Sequence, residues 1–287
     1  MTNEFAASRR RKIEREAVRA FREYLLNEEK AVATVMKYVR DVDALAEWLG
    51  ERALDKRVVL EYKTYLTEKY APASVNAALA SLNRFFSYCR WTDLRVRSLK
   101  IQRRVFASEE RELTRGEYER LLMVAQRKSQ RLYLLMQAIC STGIRVSELR
   151  FITVDAVKKR RAEIRCKGKC RSVLLPEKLC RMLERYLSEK KITGGSVFVT
   201  KNGKPLDRSN VWADMKSLCR AAGVAERKVF PHNLRHLFAR TYYSMQRDVV
   251  RLADILGHSS IDTTRIYTME SGEIHRRQIQ GLGLLRC

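Results

Sequence analysis

Residues 95–112 read RVRSLKIQRRVFASEERE, a heavily charged stretch with no sustained apolar face. Such a segment cannot bury one side of a helix or strand, so the chain on either side of it must build its own core. At 287 residues two domains are also what length alone suggests. The expected organisation is a basic tail at 1–15, a helical domain at 16–95, a linker at 96–112 and a second domain at 113–287 that carries the C-terminal tail.

The first domain reads as four short amphipathic helices. In VATVMKYVRDVDALAEWL, Val32, Val35, Val39, Val42, Leu45 and Leu49 recur at steps of three and four, one face of a helix. SVNAALASLNRFFSYC repeats the pattern with Val75, Leu79, Leu82 and Phe86, and Ser74 is the expected N-cap. VVLEYKTYLTEKY and residues 16–29 supply the other two helices.

The second domain opens on LTRGEYERLLMVAQ, where Thr114 and Glu117 have the spacing of a capping box. RLYLLMQAICSTG reads as a buried helix that Gly143 ends or bends. AEIRCKGKCRSVLLP reads as two strands around a Lys-Gly-Lys turn, and GSVFVT followed by KNGKPL as a further strand and turn. Helices are expected near 177–190, 208–222, 233–246, 248–256 and 260–268. The fold class is thus mainly α with a small β-sheet.

Charge narrows the function. The 58 Lys and Arg outnumber the 33 Asp and Glu, for a net +25. Residues 1–100 hold 20 basic and 14 acidic side chains, whereas 101–287 hold 38 and 19. A basic excess of this size, concentrated in the second domain, points to a polyanionic partner, nucleic acid above all. The seven cysteines are odd in number and form no Cys-x-x-Cys pair, so neither a disulfide framework nor a metal site is expected. The N-terminus lacks the apolar core of a signal peptide, and no apolar run approaches a membrane span. A cytoplasmic protein without cofactor follows, associated with the nucleoid if DNA is the partner.

The residues that could carry chemistry cluster. His232, Arg235 and His236 lie in FPHNLRHLFAR; His258 and Tyr267 lie in LGHSSIDTTRIYT; Arg145 lies in STGIRVSELR; and Lys167 lies in CKGKCRSVLLP. Arginine binds two phosphate oxygens through its planar fork and keeps its charge, which suits the charge that develops in phosphoryl transfer. A tyrosine nucleophile preserves the energy of the broken phosphodiester in a phosphotyrosyl ester. A lysine on a turn could protonate a leaving 5′-oxygen. Lys169 is the rival for that role.

TGIRVSEL, PHNLRHLFA and LGHSSIDTTRIYT, in this order, resemble the signature boxes of the tyrosine recombinase/integrase family, in its Xer-like or compact mobile-element form. The resemblance implies a helical, SAM-like core-binding domain before a catalytic domain. It implies Arg145 and Arg235 as the two catalytic arginines, Tyr267 as nucleophile and His258 as a phosphate-binding histidine. His232 would position the tyrosine or accept its proton, and Lys167 would be the hairpin lysine. The chain departs from the family pattern here: Cys166 replaces a glycine and the turn is one residue shorter. Glu148 matches an acidic position that supports Arg145, and His236 reads as structural.

The implied reaction is metal-independent. Tyr267 forms a 3′-phosphotyrosyl link, strands exchange through a Holliday junction, and four protomers act on two double-stranded sites with inverted repeats. The tail, with Ile279, Leu282, Leu284 and Leu285, would dock on a neighbouring protomer in trans. Arg84, Lys204 and Arg208 are candidate DNA contacts, on or beside helices near 74–90 and 208–222. A type IB topoisomerase, which relaxes DNA as a monomer, and a non-cutting DNA-binding regulator are the competing readings. Integration or excision of a mobile element and dimer resolution stay undivided, as do the target sequence and accessory proteins.

Overall fold

A computed structural model of the chain describes residues 11–101, 109–166, 169–200, 202–258, 260–267 and 279–282, the side chains of Cys166 and Lys169 excepted. The chain divides into two compact units, residues 1–103 and 104–287. Both are helical, and the second adds one two-stranded sheet.

The first unit contains α1 (Arg15–Asn27), α2 (Val32–Leu49), α3 (Lys56–Lys69) and α4 (Pro72–Tyr88). Phe21, Leu25, Val42, Leu45, Leu79, Leu82, Phe85 and Phe86 are fully buried and form its core. The Phe21 and Phe85 rings meet edge to face at 5.2 Å. Truncating either to alanine would cost about 3–5 kcal/mol. Two sequence expectations are corrected. Val32 is 65% exposed although it is in phase with the buried Val35, because it is the first residue of α2 and lies beyond the reach of the neighbouring helices. Helix α4 begins at Pro72 with Ala71 as N-cap, not at Ser74; a proline fits the first helical position, where no intrahelical N–H bond is lost.

The charged stretch after α4 is partly structured. The Asn83 side chain accepts from the Val96 amide at 2.9 Å and donates to the Val96 carbonyl at 2.8 Å. Asn76 does the same for Leu99, at 2.7 and 2.9 Å. Two asparagines two turns apart on α4 thus pin an extended strand of chain, and Val96 and Leu99 join the apolar core.

In the second unit α5 (Arg115–Lys128) starts with the expected capping box between Thr114 and Glu117. Helix α6 (Gln130–Thr142) is capped by Ser129 and stops at Gly143, which adopts φ +65°. A 3-10 turn (Val146–Phe151) and α7 (Val154–Lys158) lead to β1 (Arg161–Cys166) and β2 (Lys169–Leu174). The strands are antiparallel, with Arg161 opposite Leu174 and Cys166 opposite Lys169. Helix α8 (Glu177–Glu189) follows. The strand expected near 196–200 is reduced to isolated pairings, Thr153 with Ser196 and Val199 with Pro205. The helix expected at 208–222 is broken into α9 (Arg208–Lys216) and α10 (Cys219–Ala222). Then come α11 (Pro231–Gln246), α12 (Val249–Leu256), α13 (Ile261–Thr264) and a 3-10 turn at Arg265–Tyr267. Among the described residues no helix is long and apolar enough to cross a membrane.

Candidate active site

Two glycines place the two arginines. Gly143 ends α6 in the left-handed conformation, and a Cβ there would lie 2.5 Å from the Phe238 ring. The turn it allows leads into Arg145, whose amide donates to the Glu148 carboxylate at 2.9 Å and whose guanidinium donates to the same group at 3.0 Å. Gly257 ends α12 the same way, at φ +63°. Its carbonyl accepts from the second guanidinium nitrogen of Arg145 at 3.2 Å.

Helix α11 carries His232, Arg235 and His236 one turn apart, so all three share a face. Arg235 is 2% exposed, yet none of its hydrogen-bond partners is a carboxylate. It donates to the Gly143 carbonyl at 2.6 Å and the Leu256 carbonyl at 2.8 Å, and its Nη2 lies 2.9 Å from His258 Nε2. The His258 Nδ1 lies 2.8 Å from Thr264 Oγ1. Tyr267 is 3% exposed and packs with Ala239, Leu252 and Leu256. Its ring stacks near His258 at 5.9 Å and meets His236 edge-on at 4.7 Å; His236 in turn meets His232 at 4.6 Å.

Sequence reasoning missed Arg171. It lies on β2, donates to Glu148 at 2.6 Å and donates to the Ile255 carbonyl at 2.6 Å. The last carbonyls of α12 and its C-cap (Ile255, Leu256 and Gly257) are therefore met by three arginines from three different segments: Arg171, Arg235 and Arg145. Carbonyls at a helix C-terminus lack intrahelical partners and carry the negative end of the dipole, so they hold cations without neutralising them. The one sequence signal for Arg171 is its alternation with Val173 and Leu175, both buried, and the apolar but exposed Leu174 blurs it.

The electrostatics of the cluster favour binding an anion. Burial lowers the Arg235 pKa to about 10, and the charge of Arg145 adds to the effect. Burial pushes the His236 and His258 imidazoles down to about 4, helped by His232 and Arg235 for the first and by Arg235, Arg145 and Arg171 for the second. His232 is lowered by burial and by Arg235, Arg208 and Arg145. Burial would raise the Glu148 carboxyl, but the Arg145 amide and Arg171 hold it below the usual range. Among the described residues Glu148 is the one carboxylate paired with these cations, so a bound phosphate would relieve their repulsion.

A groove of about 510 Å³ opens onto this cluster, lined by Arg145, Ser147, Arg208, Trp212, His232 and Arg235 among others. Arg208 is thus at the site. Lys204 lies on an exposed turn, its amide donating to Thr200 Oγ1 at 3.2 Å. Arg84 lies in the first unit, donating to Glu28 at 2.8 Å and to the Tyr24 hydroxyl at 2.6 Å. Lys167 lies outside the described residues. No group of three or more His, Cys, Asp or Glu among the described residues could hold a metal ion.

Residues 111–273 match the model of the phage integrase family, and residues 18–93 that of the phage integrase N-terminal SAM-like domain. The chain belongs to the phage integrase family, the tyrosine recombinases. It is 31% identical to tyrosine recombinase XerD of Xanthomonas campestris, over 87% of this chain and 84% of that one. It is 30% identical to tyrosine recombinase XerA of Thermococcus kodakarensis, over 92% and 94%. Among solved structures, the lambda integrase (75–356) dimer bound to a COC′ core site matches with a TM-score of 0.73 at 16% identity, covering 90% of this chain and 96% of that one. XerH bound to difH in a pre-cleavage complex matches with a TM-score of 0.68 at 19% identity, covering 93% and 85%. This recombinase therefore shares the sequence family of the Xer tyrosine recombinases and the fold of the solved recombinase and integrase structures.

Proposed function

We propose that the protein recombines DNA at specific sites, with Tyr267 as the nucleophile. The observation that carries this reading is the convergence of Tyr267, His258 and Arg235 on one buried face beside Arg145. The Tyr267 hydroxyl attacks the scissile phosphorus, forming a 3′-phosphotyrosyl ester and releasing the 5′-oxygen. The phenol proton passes to His232, which is neutral and so able to receive it. The leaving 5′-oxygen takes a proton from Lys167. Arg145, Arg235 and His258 donate to the non-bridging oxygens, whose charge grows in the transition state. Reversal of the step by the 5′-hydroxyl of a partner strand rejoins the DNA and needs no external energy.

Tyr267 is buried against histidines, so attack on a phosphate in the groove requires its ring to turn outward. The substrate is double-stranded DNA with inverted repeats, bound by four protomers on two sites; a lambda integrase tetramer bound to a Holliday junction shares this fold. Ile279 and Leu282 are 68% and 62% exposed, which supports docking of the tail on a neighbouring protomer. Truncation after Thr268 then abolishes junction formation and spares binding to a single site. The protein acts in the cytoplasm, on a mobile element or on replicon dimers.

The test is a nicked suicide substrate incubated in EDTA with the wild type and with Tyr267→Phe. A denaturant-stable protein–DNA adduct from the wild type alone is expected. An adduct that survives in the variant, or none on a site the protein binds, would overturn the assignment.

A further inference from the structure

We infer that Arg171 is a positioning residue for strand cleavage, holding Arg145 through Glu148 and the α12–His258 turn through the Ile255 carbonyl in one register. The inference rests on the cleavage chemistry proposed above.

Arg171 stands opposite Ile164 on the hairpin, on the face whose neighbours are buried, and its side chain is only 16% exposed. Its two Nη atoms reach in different directions. One donates to Glu148 Oε2 at 2.6 Å, the same oxygen that accepts the Arg145 amide. The other donates to Ile255 at 2.6 Å, two residues before the glycine whose carbonyl accepts from Arg145. Arg171 thereby closes a loop: Glu148 to Arg145, Arg145 to Gly257, the end of α12 back to Arg171. Each member of the loop has its position fixed from two sides.

The residue is costly where it stands. Its Nε is buried without a hydrogen-bond partner among the described residues. Its charge adds to those that lower Arg235 and His258. The backbone gives way to it, because a Cβ on Gly257 would lie 2.4 Å from Arg171 Cδ. An apolar side chain in phase with Val173 and Leu175 would fill the same space without an orphaned donor or a repelling charge. What an apolar residue cannot do is grip a carboxylate and a helix end with one rigid fork. Displacements of about 1 Å in a catalytic group cost on the order of a hundredfold in rate, so the grip matters for chemistry rather than for DNA affinity.

The experiment measures single-turnover cleavage of suicide substrates at saturating protein, for the wild type, Arg171→Met, Arg171→Lys and Arg145→Ala. Each is tested on a scissile phosphate and on a scissile methylphosphonate, whose missing oxygen charge removes the demand for a well-placed cation. Arg171→Met should bind DNA within about threefold of wild type, yet cleave the phosphate about a hundredfold more slowly. On methylphosphonate the defects of Arg171→Met and Arg145→Ala should both shrink to less than about tenfold. Arg171→Lys, which keeps the charge and loses the fork, should fall between and serves if the methionine variant does not fold. Cleavage by either variant within about threefold of wild type would overturn the role, as would a defect of equal size on both substrates. A wild type that forms no adduct would instead strike the cleavage reading beneath it.

Discussion

Arg235 Nη2 lies 2.9 Å from His258 Nε2, and that contact fixes the histidine tautomer. A guanidinium can only donate, so Nε2 accepts and the ring proton resides on Nδ1, 2.8 Å from Thr264 Oγ1. Thr264 is fully buried. His258 therefore arrives at the site neutral and oriented. A bound phosphate that draws Arg235 away frees Nε2 to take a proton and donate to the same anion.

Thr264→Val tests the orientation. Valine keeps the shape and removes the acceptor, leaving a buried N–H unsatisfied at a cost of about 1–3 kcal/mol. Thermal melts should show that loss. Single-turnover cleavage should fall by at least about tenfold, because the ring is free to rotate out of line. Unchanged cleavage would mean that Arg235 alone orients His258.

Acid should weaken the protein. The His236 and His258 imidazoles are held near pKa 4 against an ordinary 6.5. An imidazole depressed in the native state is protonated first in the unfolded chain. As pH falls from about 6.5 to about 4, the unfolded state takes up protons that the native state refuses, and stability is lost across that window. Above it these groups are neutral in both states and contribute no pH dependence. Melting temperature measured from pH 7.5 downward should drop, and His236→Gln should flatten the slope. A parallel slope in the variant would place the acid sensitivity elsewhere.

Gly257 separates backbone strain from crowding. Gly223→Ala imposes a left-handed conformation, φ +59°, where an added Cβ meets nothing within 4 Å. Its cost should be about 1–2 kcal/mol, and cleavage should be unaffected. Gly257→Ala, at φ +63°, imposes the same strain and drives a methyl group into Arg171. It should cost more in urea denaturation and should also slow cleavage. Equal effects of the two substitutions would show that Arg171 has room to move.

Much of this site was written in local strings. A capping box needs only Thr114 and Glu117, and a helix stop needs only Gly143, so both are visible without the fold. The arginine, histidine and tyrosine boxes were visible for the same reason. Arg171 was not, because its partners lie 23 and 84 residues away and the outward Leu174, 75% exposed, blurs the alternation that would have marked it as facing inward. Residues 96–99 were hidden similarly: their hydrogen bonds go to Asn76 and Asn83 of α4 and to Lys63 of α3, not to each other. The exposure of Val32 depends on what does not pack against it, which periodicity cannot show.

Among the candidate DNA contacts, Arg208 and Arg84 should behave differently. Arg208 is the first residue of α9 and lines the groove with Arg145 and His232. A cation there adds its charge to any phosphate in the groove. Arg84 already faces Glu28 at 2.8 Å and lies over the Tyr24 ring, so its charge is largely matched within the protein. Each phosphate contact contributes about one to the slope of log affinity against log salt. Arg208→Ala should therefore flatten that slope by about one unit and weaken binding to all duplexes alike, whereas Arg84→Ala should change it by much less. Fluorescence anisotropy over a salt series reads both. Two variants with the same loss of slope would mean that DNA displaces Glu28 from Arg84. A loss confined to one DNA sequence for Arg208→Ala would mean that it reads a base edge instead of holding the backbone.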